Sequence, residues 1–336
     1  MRTPVAVGVV GLGPWGNIIA RNIDGLPQTE LRWLCDLSSE AQKQTAYRYR
    51  HARLTSRFED LLNDEFLDAV VLATPIGLHH RLACLALDAE KHVLLKTVMA
   101  LGRDDADDLI RRAEQRDRRV MVADSVLLGP GVRMLKGLIE GGRLGEIYYA
   151  TCVRHVQGGQ QRNDDLLWDI GSDPVTTILH LLQDEPVEAT AWGEAYLNEE
   201  ALDVAACHLK FATGISAWLH LSAIAPESAA RLTVVGSRSS AVLDDHLGDR
   251  RLTLFETSGD VICPRLSRDE SARLQCEDFV RAIQFPRALR TATYKSARVV
   301  HVLSALQRSV RHGGTAETAG SHDRVGADIT LSVPTT

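Results

Sequence analysis

The chain opens with Val5-Ala6-Val7-Gly8-Val9-Val10, an apolar run with no polar position. Such a run predicts a strand buried on both faces. Similar short runs recur at Leu31-Arg32-Trp33-Leu34-Cys35, from Ala69 to Ala73, from His92 to Leu95 and from Arg119 to Val122. Between them lie segments with helical spacing, from Asn17 to about Ile23, from Gln44 to Tyr49, from His80 to Leu87 and from Ala106 to Gln115. Strictly alternating strands and helices predict an α/β domain with a parallel, doubly wound sheet over residues 1–123.

From Glu146 the rhythm changes. Strand patterns dominate at 147–155, 187–196, 204–211, 215–222 and 231–235, punctuated by the turn signals Ala212-Thr213-Gly214 and Gly236-Ser237-Arg238. This predicts an α+β domain over 124–312 with an open, mainly antiparallel sheet. An amphipathic helix is expected from Lys295 to Val310, with apolar positions at Val299, Val300, Leu303, Leu306 and Val310. Residues 313–336 are rich in glycine, serine and threonine and are expected to fray, with Ile329 to Val333 a candidate edge strand. One face of the second sheet needs a partner, and Trp218, Leu219 and Leu221 suggest that it is poorly solvated. A homodimer or homotetramer through that sheet is the expectation.

The first strand runs directly into Gly11-Leu12-Gly13-Pro14-Trp15-Gly16 and a helix. In this setting GxGxxG has a mechanical reading. Gly11 permits the tight turn, Gly13 lets backbone approach a pyrophosphate, Gly16 lets helix and strand pack closely, and the helix N-terminus offers free N–H groups. The second strand ends in Asp36, 20 residues after Gly16, near the spacing expected of the acid that binds the adenosine ribose. Its charge favours NAD over a cofactor bearing a 2′-phosphate.

Charge and composition narrow the partners. The 336 residues carry a net charge of only −6, with both signs interspersed, so no nucleic-acid or anionic-membrane footprint exists and a small-molecule substrate is expected. No apolar run approaches the roughly 20 residues of a membrane span, and the chain enters a strand without a charged-then-apolar leader, which predicts a cytoplasmic protein. The six cysteines, at 35, 84, 152, 207, 263 and 276, lack CxxC spacing and indicate neither a disulfide framework nor a zinc site.

Several motifs in order carry a resemblance over nearly the whole chain. These are Gly11 to Asn17, Asp36, Ala73-Thr74-Pro75 with His79, His92-Val93-Leu94, Leu144-Gly145-Glu146, Trp168-Asp169-Ile170-Gly171 and Thr233 to Ser237. Together they resemble the glucose–fructose oxidoreductase / inositol dehydrogenase / MocA family, and within it the nucleotide-aminosugar 3-dehydrogenases. The resemblance implies a Rossmann domain followed by an oligomerising α/β domain, with a nicotinamide cofactor as hydride carrier for a cyclic polyol or sugar. Motif and resemblance give as cofactor contacts Gly11, Gly13, Pro14, Trp15, Gly16, Asn17, Asp36, Ala73, Thr74, Pro75 and His79.

The resemblance also implies an acid–base set from which this chain departs. Where the family has Glu-Lys-Pro after its fifth strand, the sequence has Lys96-Thr97-Val98. In the family's Asp-x-x-x-His the Asp is Asp169 but the His is Asp173, and the histidine of a third motif is matched by Asp124. Side chains on a strand alternate, so Lys96 is expected to face away from the place that Thr97 takes. Loss of the proline removes the residue type that most readily accepts a cis peptide. The catalytic candidates are then Asp169, Asp173 and Lys96, with two carboxylates four residues apart that could share a proton. Three of these departing residues have an ordinary reading beside the catalytic one: Asp173 before Pro174 as a helix cap, Lys96 as a solvated strand end or cofactor contact, Asp124 as a cap before Pro130. Two functions stay open. One is an NAD-dependent oxidoreductase acting on a sugar, nucleotide-sugar or similar polyhydroxylated or amino-bearing molecule. The other is a redox-neutral enzyme or a non-catalytic partner subunit that retains NAD.

Overall fold

A computed structural model describes residues 4–157, 165–197, 201–245, 251–267, 270–285 and 290–320, with backbone alone for 290–293. Its first part runs β1 (Val5–Val10), α1 (Pro14–Asp24), β2 (Thr29–Cys35), α2 (Ser39–Ala46), β3 (Arg53–Thr55), α3 (Phe58–Leu62), β4 (Ala69–Leu72), α4 (His79–Asp88), β5 (His92–Lys96), α5 (Arg103–Gln115) and β6 (Val120–Ala123). The six strands form one parallel sheet in the order β3-β2-β1-β4-β5-β6. The order reverses direction beside β1, which opens a crevice at the carboxyl ends of β1 and β4, where doubly wound sheets bind ligands.

The second part contains α6 (Pro130–Glu140), β7 (Ile147–Gln157), α7 (Leu166–Asp169), α8 (Ser172–Leu182), β8 (Pro186–Glu194), β9 (Val204–Phe211), β10 (Ser216–Ala225), β11 (Ala229–Gly236), β12 (Ser239–Asp244), β13 (Leu252–Glu256), β14 (Val261–Ile262), α9 (Ser271–Gln284), α10 (Arg290–Arg311) and β15 (Glu317–Thr318). Nine strands make a sheet ordered β14-β13-β12-β11-β7-β10-β9-β8-β15. Every pairing in it is antiparallel except β7 with β10.

The chain doubles back after this sheet. Cys276, Phe279 and Val280 of α9 are buried with Val5, Val7, Ile19 and Ile23, so a late helix completes one face of the first sheet beside α1. Helix α10 lies against α5 and β6 of the first part and α8 and β8 of the second. Val299, Val300, Leu303 and Leu306 are buried on it, as the helical spacing requires.

Two sequence expectations are corrected here. Residues 313–320 do not simply fray, because Glu317 and Thr318 pair with Ala189 and Glu188 of β8 and extend the sheet by β15. The expected strand from Ile329 to Val333 lies outside the described residues. Leu219 and Leu221 do not lie on the uncovered sheet face either. With Ala217 they alternate into the core, while Trp218 and His220 point the other way.

Candidate active site and cofactor cradle

The glycine loop has a physical need at each of its positions. Gly11 stands at φ +88°, and a Cβ there would lie 2.6 Å from the Ala73 carbonyl oxygen. A Cβ on Gly16 would come within 1.9 Å of the Gly11 carbonyl oxygen, so only glycine lets α1 sit this close to its strand. Over Gly13 nothing lies within 4 Å, and no side chain caps the N-terminus of α1. Its first turn holds Pro14, Trp15 and Gly16 and no acid, which leaves N–H groups and the positive helix end facing open space. The Asn17 amide donates to the carbonyls of Leu12 and Gly13 and holds the loop in shape. Trp15 is half-buried against the core beneath.

Asp36 directly follows β2 and accepts from the Leu12 N–H at 2.6 Å and the Ser38 N–H at 2.8 Å, one on each carboxylate oxygen. It thereby ties the glycine loop to the start of α2. Thr74, on the turn after β4, has a buried hydroxyl oxygen with no hydrogen-bond partner. An open, uncapped helix N-terminus, a glycine with empty space above it and an unpaired buried hydroxyl are what a cradle for a phosphate-bearing dinucleotide requires.

His79 does not face this cradle. Its ring is fully buried, with Nδ1 at 2.8 Å from the Val98 carbonyl oxygen and Nε2 at 3.0 Å from that of Thr74. Both nitrogens lie at backbone carbonyls, so in this structure the His79 ring ties together the loops after β4 and β5. His80 lies elsewhere, between α4 and α5, where Nε2 is 2.9 Å from Asp108 and 3.5 Å from Cys84 Sγ. This trio is a grouping of metal-ligand type that spacing did not reveal, but Asp108 is already bound by Arg112 at 2.8 Å and by Arg111.

After β5 the peptide between Thr97 and Val98 is cis, against the expectation drawn from the missing proline. Leu94 is buried in the core under α1 and α9, whereas Val93 and Leu95 belong to the other, so Lys96 and Thr97 leave the strand on opposite faces. The Thr97 hydroxyl lies 2.8 Å from the Ala123 carbonyl oxygen and 3.2 Å from Asp124 Oδ1. Ser296 of α10 donates to the other Asp124 oxygen at 3.2 Å. Burial pushes the Asp124 carboxyl up to about 7, against these two hydrogen bonds and with a contribution from the charge of Asp173.

Asp173 stands in the first turn of α8, where the N-cap is Gly171, so the capping alternative for Asp173 is not what the fold uses. Its side chain lines a cleft of about 300 Å³ between α6, α8 and the covered face of the second sheet, together with Val132, Arg154, Thr177, Leu232 and Asp245. Burial raises the Asp173 carboxyl, the charges of Arg154 and Lys96 oppose this, and Asp245 reinforces it. Lys96 is thus less remote than alternation alone suggests, since it is exposed at the strand end and its charge acts on Asp173. Asp169 is exposed on α7, four residues before the half-buried Asp173. The charge of Asp173 acts on Asp124, from a different element, in the direction that raises its carboxyl.

Sequence reading missed Arg154, Asp245 and Ser296. A signal for Arg154 existed: Ala150 and Cys152 alternate into the covered face of β7, and the next residue of that series is an arginine. Asp245 and Ser296 reach the site from residues far along the chain, which no local pattern encodes.

With the fold and site described, comparison with known proteins gives two adjacent matches. Residues 5–124 match the oxidoreductase family with an NAD-binding Rossmann fold, and residues 132–242 match the Gfo/Idh/MocA C-terminal domain. The chain belongs to the Gfo/Idh/MocA oxidoreductase family. Its first domain is an NAD-binding Rossmann domain, and the glycine cradle described above is where such a domain takes its dinucleotide. Among relatives, the UDP-N-acetylglucosamine 3-dehydrogenase of Acidithiobacillus ferrooxidans is 26% identical over 292 residues, covering 84% of this chain and 88% of that protein. A glycosyl hydrolase family 109 protein of Shewanella amazonensis is 29% identical over 161 residues, but these cover 44% of this chain and only 35% of that protein. Among solved structures, GenD2 from gentamicin A biosynthesis, in complex with NAD, superposes with a TM-score of 0.83 at 20% identity over 96% of this chain and 98% of that one. Among the described residues no helix is long and apolar enough to cross a membrane.

Proposed function

We propose that this Gfo/Idh/MocA member is an NAD-dependent dehydrogenase of a sugar, nucleotide-sugar or similar polyhydroxylated or amino-bearing small molecule, with Asp173 as the proton acceptor in place of the family's usual lysine and histidine. The observation that carries this reading is the position of Asp173: a carboxylate with no hydrogen bond from a described residue, set in the wall of the cleft at a helix N-terminus. NAD supplies the hydride acceptor. As the substrate CH–OH becomes C=O, its hydroxyl proton passes to an Asp173 oxygen. Burial makes that carboxylate a stronger base than a solvated aspartate, and the charges of Arg154 and Lys96 favour the ionised form that accepts the proton. Thr97 has no useful ionisation, and its hydroxyl is already directed at Ala123 and Asp124. Asp36 supports NAD rather than NADP, because a 2′-phosphate would meet a carboxylate held in place by two N–H donors.

The partial match to a glycosyl hydrolase favours one second reading, a redox-neutral enzyme that keeps NAD. Incubation of the purified protein with NAD⁺ and a panel of sugars and amino sugars separates the two. The dehydrogenase reading expects NADH absorbance to appear with product, and Asp173→Asn to slow turnover by about 10²–10⁴-fold while calorimetry shows NAD binding unchanged. Product without NADH would establish the redox-neutral reading. Full turnover by Asp173→Asn would remove Asp173 from the chemistry.

A further inference from the structure

Arg154 is out of place for a structural arginine. It lies on β7 between Leu221 of β10 and Ala230 of β11, near the middle of the nine-stranded sheet. It follows Ala150 and Cys152 on the covered face, both under 10% exposed, where the strand pattern calls for small apolar side chains. A half-buried guanidinium needs acceptors, since leaving a charge without them is costly. The neighbouring cations have theirs: Arg251 donates to Asp245 at 2.6 Å and Arg231 to Asp244 at 2.9 Å. Among the described residues Arg154 has neither a hydrogen bond nor an ion pair. It lines the same cleft as Asp173, near enough for its charge to act on that carboxyl.

We infer that the substrate carries an anionic group, a carboxylate or a phosphate, and that Arg154 receives it in the cleft beside Asp173. The planar guanidinium presents paired N–H donors that match the oxygens of either group. Asp245 in the same wall is paired with Arg251, which offsets its repulsion of an anion from that side. This inference rests on the cleft's being the substrate site of the proposed dehydrogenase. It adds a consequence for the chemistry: an anion bound to Arg154 offsets the positive charge that holds the Asp173 carboxyl down, so substrate binding itself makes Asp173 a stronger base.

The test is calorimetry on the NAD⁺-loaded protein with glucose, glucuronate, galacturonate, glucose 6-phosphate and inorganic phosphate. At least one anion is expected to bind ten-fold or more tightly than glucose, and whether the uronates or the phosphates do so identifies the group. Arg154→Gln should bring that anion to parity with glucose, and Arg154→Lys should keep part of the preference because the charge remains while the paired donors are lost. Equal or absent binding across the whole set, or an anion preference that survives in Arg154→Gln, overturns the assignment. Binding without NADH formation sinks the dehydrogenase reading alone. Oxidation of neutral sugars at the same rate by wild type and Arg154→Gln sinks only the anion site.

Discussion

At Asp124 burial works against two hydrogen bonds and prevails, raising the carboxyl to about 7. The sign of its effect on stability follows. In the unfolded chain the group titrates near 4, so between about pH 4 and pH 7 the native protein binds a proton that the unfolded chain has released. Stability contributed by this group is therefore fully present below pH 4, falls as the pH rises to 7, and stays lost above it. Asp124→Asn keeps an acceptor for Thr97 and Ser296 without the charge. Its urea midpoint should rise relative to wild type as the pH goes from 4 to 8, by an amount equivalent to at most about 4 kcal/mol. A difference that is flat with pH would mean that Asp124 does not titrate in this window. The residue types at 97, 124 and 173 were readable as departures from the family pattern. That Thr97 meets Asp124, and that Asp124 feels Asp173, depended on β5, β6, α8 and α10 converging.

On the scale of elements, Asp36 joins three of them. Its two oxygens hold the Leu12 N–H before α1 and the Ser38 N–H that begins α2, at the carboxyl end of β2. Asp36→Ala leaves both N–H groups short of an acceptor and removes the charge that we propose faces the adenosine ribose. The expected outcome is a loss of NAD affinity, a much reduced preference for NAD over NADP, and a stability loss of about 1–3 kcal/mol by denaturant titration. Tighter binding of NADP than NAD by the wild type would contradict the reading of Asp36. Elements with strong local periodicity, such as β1, β9 and α10, could be read from the chain within a few residues. Helix α9 could not be placed. Its amphipathic face says that it packs, but only the fold says that Phe279 shares one core with Val5 of β1 and Ile19 of α1, 260 or more residues earlier.

For the molecule as a whole, the second sheet leaves one face uncovered. It carries Trp192 at 56%, Trp218 at 46% and Tyr149 at 37% exposure. His208 stacks on Trp218 with ring centres 5.3 Å apart, and His155 meets His220 at 2.7 Å. Exposed aromatic surface of this kind marks an interface. We propose that two copies of the chain associate through it. Light scattering at micromolar concentration should give a dimer or tetramer mass, and Trp218→Arg, which leaves the core face of β10 untouched, should shift it toward monomer. A monomeric wild type would refute this without disturbing the nucleotide site.

What the sequence determined by itself was local in origin. The GxGxxG turn, the period of each strand and helix, and the acid at the end of β2 follow from steric limits on the backbone and from side-chain periodicity, which act over a few residues. The tertiary structure alone decided what these residues meet. It buried His79 between two carbonyls, turned Leu219 inward and Trp218 outward, extended the second sheet with β15, and put Arg154, with no partner among the described residues, beside Asp173. The reason is that burial, charge fields and unpaired donors are properties of the space between elements. In this chain, segments as far apart as β5, α8 and α10 enclose that space together.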